Sequence, residues 1–169
     1  MDVKTKNLVE QAINGDTEAF GDLYEIYALD MYRFALSICK NPQDAEDAVG
    51  ETAMSVFKSI GTLKNKEKFK SYLFLSLSNC CKKKMKAQNY NEEISRKTEI
   101  DNSQRDFDFS LDLKNALNKL DNETREIVML SVVAGFSSKE IGKIMNLKAT
   151  TVRSKLKRGI DKMRKELEL

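Results

Sequence analysis

The chain has 169 residues, 41% of them hydrophobic and 33% charged, a formal net charge of +3 and no histidine. That composition can bury one or two small cores, and the missing imidazole removes histidine acid–base catalysis, Ser-His-Asp triads and histidine-bearing zinc sites. Apolar stretches of only a few residues and the lack of a basic-then-apolar leader point to a cytoplasmic protein with no membrane insertion. One proline and seven glycines leave too few turn residues for a sandwich or barrel, so the expected fold class is all-α.

In chain order, Leu8, Val9, Ala12 and Ile13 begin a short amphipathic helix that Gly15 can end, with Asp16 as N-cap of the next. Phe20, Leu23, Tyr24, Tyr27, Met31, Phe34, Ala35 and Ile38 fall at steps of three and four, which predicts a long helix with one apolar face. Asn41-Pro42 starts a third, carrying Ala45, Ala48, Val49, Ala53, Val56, Phe57 and Ile60 before Gly61. A lysine-rich loop follows, then a fourth helix through Phe69, Tyr72, Leu73, Leu77 and Cys80 to Lys86. From 87 to 109 the periodicity gives way to Asn, Gln, Glu, Asp and Ser, the composition of a flexible acidic linker.

Beyond it, 111 to 120 reads as a short helix, Asp121 caps a second, and Ser137-x-x-Glu140 is a capping box for a third. The turn Asn146-Leu147-Lys148 leads into a last helix with Val152, Leu156, Ile160, Met163 and Leu167 on one face. The expected architecture is two small helical domains, 1–86 and 110–169, joined by the linker 87–109.

Net charge alternates along the chain: −6 over 1–60, +7 over 61–86, −3 over 87–109 and +5 over 110–169. Two basic blocks suit two contacts with a polyanion, and the acidic blocks suit a basic partner. Cys39, Cys80 and Cys81 lack metal-ligand spacing, so neither a metal nor a disulfide framework is expected.

The last pair of helices has the form of a helix-turn-helix. With Val152 toward the core, Thr150, Ser154, Lys157 and Asp161 project away from it at 100° per residue, flanked by Arg153 and Arg158. Thr150, Arg153, Ser154 and Lys157 are candidates for the major groove, and Asp161 lies beyond the base-reading turns. Lys148, Thr151, Lys155 and Arg158 are candidates for phosphates. Asp44, Asp47 and Glu51 share a side of the third helix; the helix dipole alone accounts for Asp44, whereas Glu51 lies past the first turn and suits a basic partner. Lys64, Asn65, Lys66, Lys68, Tyr72, Phe74, Ser78, Asn79, Lys82 and Lys83 combine ammonium groups with aromatic rings, as single-stranded nucleic acid requires. On periodicity Tyr72 and Phe74 also fit core positions.

Gly15-Asp16-x-x-Ala19-Phe20-x-x-Leu23-Tyr24-x-x-Tyr27, the run Asp44 to Thr52, Phe69-x-x-Tyr72-Leu73, Thr124-Arg125-Glu126, Ser137-x-x-Glu140-Ile141 and Thr151 to Leu156 occur in an order and spacing that resembles the extracytoplasmic-function group of bacterial sigma factors. The resemblance implies a transcription initiation factor without cofactor or catalytic chemistry, whose partners are core RNA polymerase and promoter DNA, both duplex and melted. It implies that Asp44, Asp47 and Glu51 face the basic coiled coil of the polymerase's largest subunit. Residues 61 to 86 would open the element upstream of the start and hold a flipped base, the acidic linker would follow the RNA-exit path, and the helix-turn-helix would read a second element in the major groove. An anti-sigma protein is a further partner the resemblance admits. Tyr72, Gly50, Asn146 and Lys148 stand where the family usually has tryptophan, glutamine, glycine and a capping serine. Two other functions fit the residues: a helix-turn-helix regulator with a sensing N-terminal half, and a helical protein-interaction module.

Overall fold

The computed structural model describes residues 1–94 and 109–168. Within them are eight α-helices: α1 (Val3–Ile13), α2 (Thr17–Cys39), α3 (Pro42–Ser59), α4 (Phe69–Ile94), α5 (Leu111–Asn118), α6 (Asn122–Val132), α7 (Ser138–Met145) and α8 (Ala149–Glu166), with 3-10 turns at Ile60–Thr62 and Lys66–Lys68. No strand occurs among the described residues.

The boundaries follow the chemistry of helix ends. Asp16, Asn41, Asp121 and Ser137 each accept a hydrogen bond from the backbone N–H three residues on, satisfying a donor that the helix itself leaves unpaired. At Ser137 the Glu140 carboxylate accepts in return from the cap's N–H at 2.8 Å, which completes the capping box. Gly15 takes a positive φ of 97° between α1 and α2, as its position in the sequence predicts.

One expectation changes. α4 does not stop at Lys86 but continues to Ile94, so residues 87–94 are helix where the sequence reading placed linker. Their polar composition hides the helix from a periodicity test, because past Met85 the helix has little core left to face; Gln88 is held by the Asp44 carboxylate of α3 instead. The rest of the expected linker, 95–108, lies outside the described residues.

Two groups of helices contribute to one continuous buried core. In the first, Leu23, Met31 and Phe34 of α2 meet Ala45, Ala48 and Val56 of α3 and Phe69, Leu73, Phe74 and Leu77 of α4, all buried. The alanines let α2 and α3 approach closely. In the second, Leu117 and Leu120 meet Ile127 and Leu130 of α6, Ile141 of α7 and Val152 of α8. Truncating a side chain such as Phe34 or Ile127 to alanine costs about 3–4 kcal/mol.

The second group also buries a guanidinium. Arg125, 2% exposed, donates from Nε to the Leu117 carbonyl at 2.9 Å and from Nη2 to the Leu120 carbonyl at 2.7 Å, supplying donors to carbonyls at the end of α5. Nη1 reaches Asn122 Oδ1 at 3.0 Å. Every arm of the charge is used, which is what its burial requires.

The two groups are in contact. α4 presents Lys70, Phe74, Ser78 and Lys82 at steps of four to α6 and to the loop before α7, and α2 also lies against α6.

Candidate functional site

Three surfaces carry the residues singled out in the sequence. The first is the α7–α8 pair. Asn146 ends α7 in the left-handed conformation (φ 56°, ψ 48°), which asparagine tolerates better than most residues. The turn then folds back over Gly142, where a Cβ would stand 2.6 Å from the Leu147 carbonyl oxygen. Gly159 plays the same part between α8 and α6: a Cβ there would lie 2.8 Å from Thr124 Cγ2. These two absent methyl groups set how closely α8 is held to the helices behind it.

Held there, α8 buries Val152 and exposes Thr150, Arg153, Ser154, Lys157 and Arg158, as the helical arithmetic predicts. Ser154 Oγ donates to the Thr150 carbonyl at 3.1 Å. Lys148 is exposed and occupies the N-cap position without a side-chain cap bond, an ammonium set against the positive end of the helix dipole. Thr151 and Lys155 are half-buried toward the core edge. Lys155 is not solely solvent-facing: its ammonium pairs with Glu123 of α6 at 2.7 Å.

The second surface is the outer side of α3. Glu46, Asp47, Gly50, Glu51, Met54, Ser55 and Lys58 line an open concavity of about 610 Å³, acidic at one end and apolar at Met54. The expected trio does not act as one. Asp47 is exposed and accepts a same-helix bond from Gln43, at 3.2 Å. Glu51 is exposed but takes the Lys84 ammonium of α4 at 2.7 Å and the Cys80 thiol at 3.4 Å, and these bonds lower its pKa. Asp44 turns toward α4 and Gln88, where burial raises its pKa, and it is not among the residues lining the concavity. Glu46, Met54 and Lys58 were not singled out in the sequence. Glu46, in the second position after Asp44 near the start of α3, is favoured there by the helix dipole, and Met54 and Lys58 stand seven residues after Asp47 and Glu51, on the same helical side. Gly50 has open space where a side chain would stand, so no packing need calls for glycine there.

The third surface is α4 and the loop before it. Lys64, Asn65, Lys68, Asn79, Lys82 and Lys83 are exposed, and Lys66 pairs with Glu10 at 2.9 Å. Tyr72 is half-buried, its hydroxyl 2.6 Å from Ser59 Oγ at the end of α3. Two expected contact residues are corrected. Phe74 is fully buried between Phe34 and Phe136, with ring centroids 5.9 and 5.6 Å away, and Ser78 is 2% exposed and donates to Glu126. The core position that periodicity also allows Phe74 is the one it takes, and Ser78 is buried because the second group of helices, which a reading of one helix cannot see, covers that side of α4. No cluster of metal-ligating side chains exists among the described residues, and no helix among them is long and apolar enough to cross a membrane.

Comparison with known proteins gives the chain its relatives. Residues 23–90 match the family described as Sigma-70 region 2, and residues 110–163 match Sigma-70, region 4. The chain is 25% identical to the ECF RNA polymerase sigma factor SigW of Bacillus subtilis, over 99% of this chain and 98% of that one. It is 29% identical to the RNA polymerase sigma factor CarQ of Myxococcus xanthus, over 95% and 98%. Among solved structures, CnrH in complex with the cytosolic domain of CnrY shares the fold with a TM-score of 0.72 at 20% identity, covering 98% of this chain and 97% of that one. The sigma factor RpoE of Bartonella quintana, in complex with the anti-sigma factor NepR, gives 0.73 at 24% identity, covering 88% and 98%. Two sigma-70 regions in the order and spacing of the family, on an all-α fold that its solved members share, make this chain a member of the extracytoplasmic-function group of sigma-70 factors.

Proposed function

We propose that this sigma factor meets core RNA polymerase through the concavity of α3, with Asp47 and Glu51 as its charged contacts, and reads promoter DNA with the outer face of α8. Thr150, Arg153, Ser154 and Lys157 enter the major groove, while Lys148, Thr151, Lys155 and Arg158 hold phosphates. Three of those four are cations, which corresponds to a salt slope for duplex binding of about −1.8 while Glu123 holds Lys155 and about −2.7 once Lys155 is released to a phosphate. Lys64, Asn65, Lys68, Asn79, Lys82 and Lys83 track the melted strand near Tyr72. Region 2 occupies the helices before residue 95 and region 4 those after residue 108.

The observation that carries this reading is the exposure of the α8 residues behind a capped α7 and a tight turn, on the same chain as an acidic concavity. The protein acts by binding rather than by covalent chemistry, and its place is the cytoplasm, where polymerase and promoters are. An anti-sigma protein is a fitting regulator, since CnrH and the Bartonella RpoE are each seen with such a partner or a partner's cytosolic domain.

The deciding experiment is transcription of fragmented genomic DNA by core polymerase with and without the protein, mapping transcript 5′ ends. New starts sharing two upstream elements at fixed spacing are the expected result. No new starts from active core, with no co-elution of the two, would overturn the reading.

A further inference from the structure

We propose that α1 positions the loop that leads into α4 for promoter opening: Lys6 and Glu10 of α1 fix residues 61–68 through Lys66 and Glu67, which are positioning residues and not contacts to nucleic acid. α1 ends ahead of residue 23, where the match to region 2 begins, yet it touches both 3-10 turns of this loop.

α1 is itself held by the burial of Thr5, Val9 and Ala12, and Lys6 and Glu10 stand one turn apart beside that buried line. Lys6 pairs with Glu67 at 2.5 Å, and Glu10 pairs with Lys66 at 2.9 Å. The two pairs run in opposite senses, cation to anion and then anion to cation. A slipped loop that brought Lys66 to Lys6, or Glu67 to Glu10, would set like charges together, so one register alone satisfies both pairs. Asn65 shapes the turn that presents them, its side chain accepting from the Glu67 N–H at 2.9 Å. Gly61 passes the end of α1, where a Cβ would stand 3.7 Å from the Ile13 carbonyl oxygen, and buried Ile60 and Phe69 hold the two ends of the loop.

Lys6, the least exposed of the four paired side chains, is still 33% exposed. Ion pairs in such a setting add little to stability, so their effect is on where the loop sits. Lys64 and Lys68 stay exposed on either side of the anchored pair. A loop already held in place gives up less conformational freedom when a strand arrives, which favours binding. What the loop is held for rests on the reading of its lysines as strand contacts given above; that α1 holds it does not.

The test uses the full chain at constant net charge. Lys6→Glu with Glu10→Lys sets like charges together at both contacts, and adding Lys66→Glu and Glu67→Lys pairs them again. Hydrogen exchange of the backbone amides of 61–68 in the free protein should rise several-fold in the double variant and return in the quadruple one, with helical circular dichroism unchanged in both. In holoenzyme with core polymerase, on a promoter found by mapping transcript 5′ ends, permanganate reactivity of unpaired thymines should fall several-fold in the double variant and recover in the quadruple, while co-elution with core stays at the wild-type level. Exchange in the double variant equal to wild type would overturn the anchorage. Loosened exchange with undiminished opening would overturn the positioning role, and so would opening that the quadruple variant fails to recover, since Lys66 or Glu67 would then be a direct contact. A wild type that opens no promoter would overturn the functional reading instead, and the exchange measurement would still decide whether α1 holds the loop.

Discussion

The Lys155 ammonium, on the helix proposed to lie against DNA, is held 2.7 Å from the Glu123 carboxylate of α6. Both side chains are partly exposed, so the pair adds less than about 1 kcal/mol to stability. Its effect is on binding: a phosphate must compete with Glu123 for Lys155. Glu123→Gln should therefore strengthen duplex binding alike for all sequences and steepen the salt slope by about 0.9. Fluorescence anisotropy titrations at several salt concentrations read both quantities, and an unchanged slope would place Lys155 away from the phosphates.

Asp47 and Glu51 have different neighbours, so their reversal should not be equivalent. Asp47→Lys alters an exposed group that is hydrogen-bonded to Gln43 of its own helix and acts on the Lys84 ammonium through its charge alone, and should leave stability within about 1 kcal/mol. Affinity for core polymerase should fall at least tenfold, an effect of about 1.4 kcal/mol. Glu51→Lys should do the same to binding but also set two ammonium groups together at Lys84. Urea unfolding alongside a polymerase co-elution assay separates the two effects.

Gly142→Ala should loosen the helix-turn-helix. Alanine is the better helix former by about 1 kcal/mol, but its Cβ would stand 2.6 Å from the Leu147 carbonyl oxygen, a backbone atom that only a shift of the turn can move. A net loss of about 1–2 kcal/mol is expected. Duplex affinity should fall with it, because the turn sets the aim of α8. Stability equal to or above wild type would show that the turn gives way freely.

Acid should act on the start of α7. The Ser137 backbone N–H, and after it the Ser137 hydroxyl, hold the Glu140 carboxyl below its ordinary value of 4.5. A carboxylate whose folded pKa is depressed contributes stability that is present above the unfolded value and is lost as pH falls through the folded one. Unfolding curves at pH 7 and below pH 4 should show that loss, and Glu140→Gln should reduce it, since an amide oxygen can still accept from the Ser137 N–H. Identical pH dependence in the two proteins would assign the acid sensitivity to other carboxylates.

Local chemistry was legible in the residues. Asp16, Asn41-Pro42, Asp121 and Ser137-x-x-Glu140 mark helix starts because each satisfies nearby backbone donors, and the outward face of α8 follows from 100° per residue once Val152 points inward. Those are relations within one turn or one helix. Which polar face meets another is settled by packing between helices: Asp44 turns to Gln88, Lys84 takes Glu51, and Phe74 and Ser78 lie beneath Phe136 and Glu126. Helical periodicity gives a side chain its direction but not what stands there, and burial of α4's second face depends on residues 44 to 64 positions away along the chain.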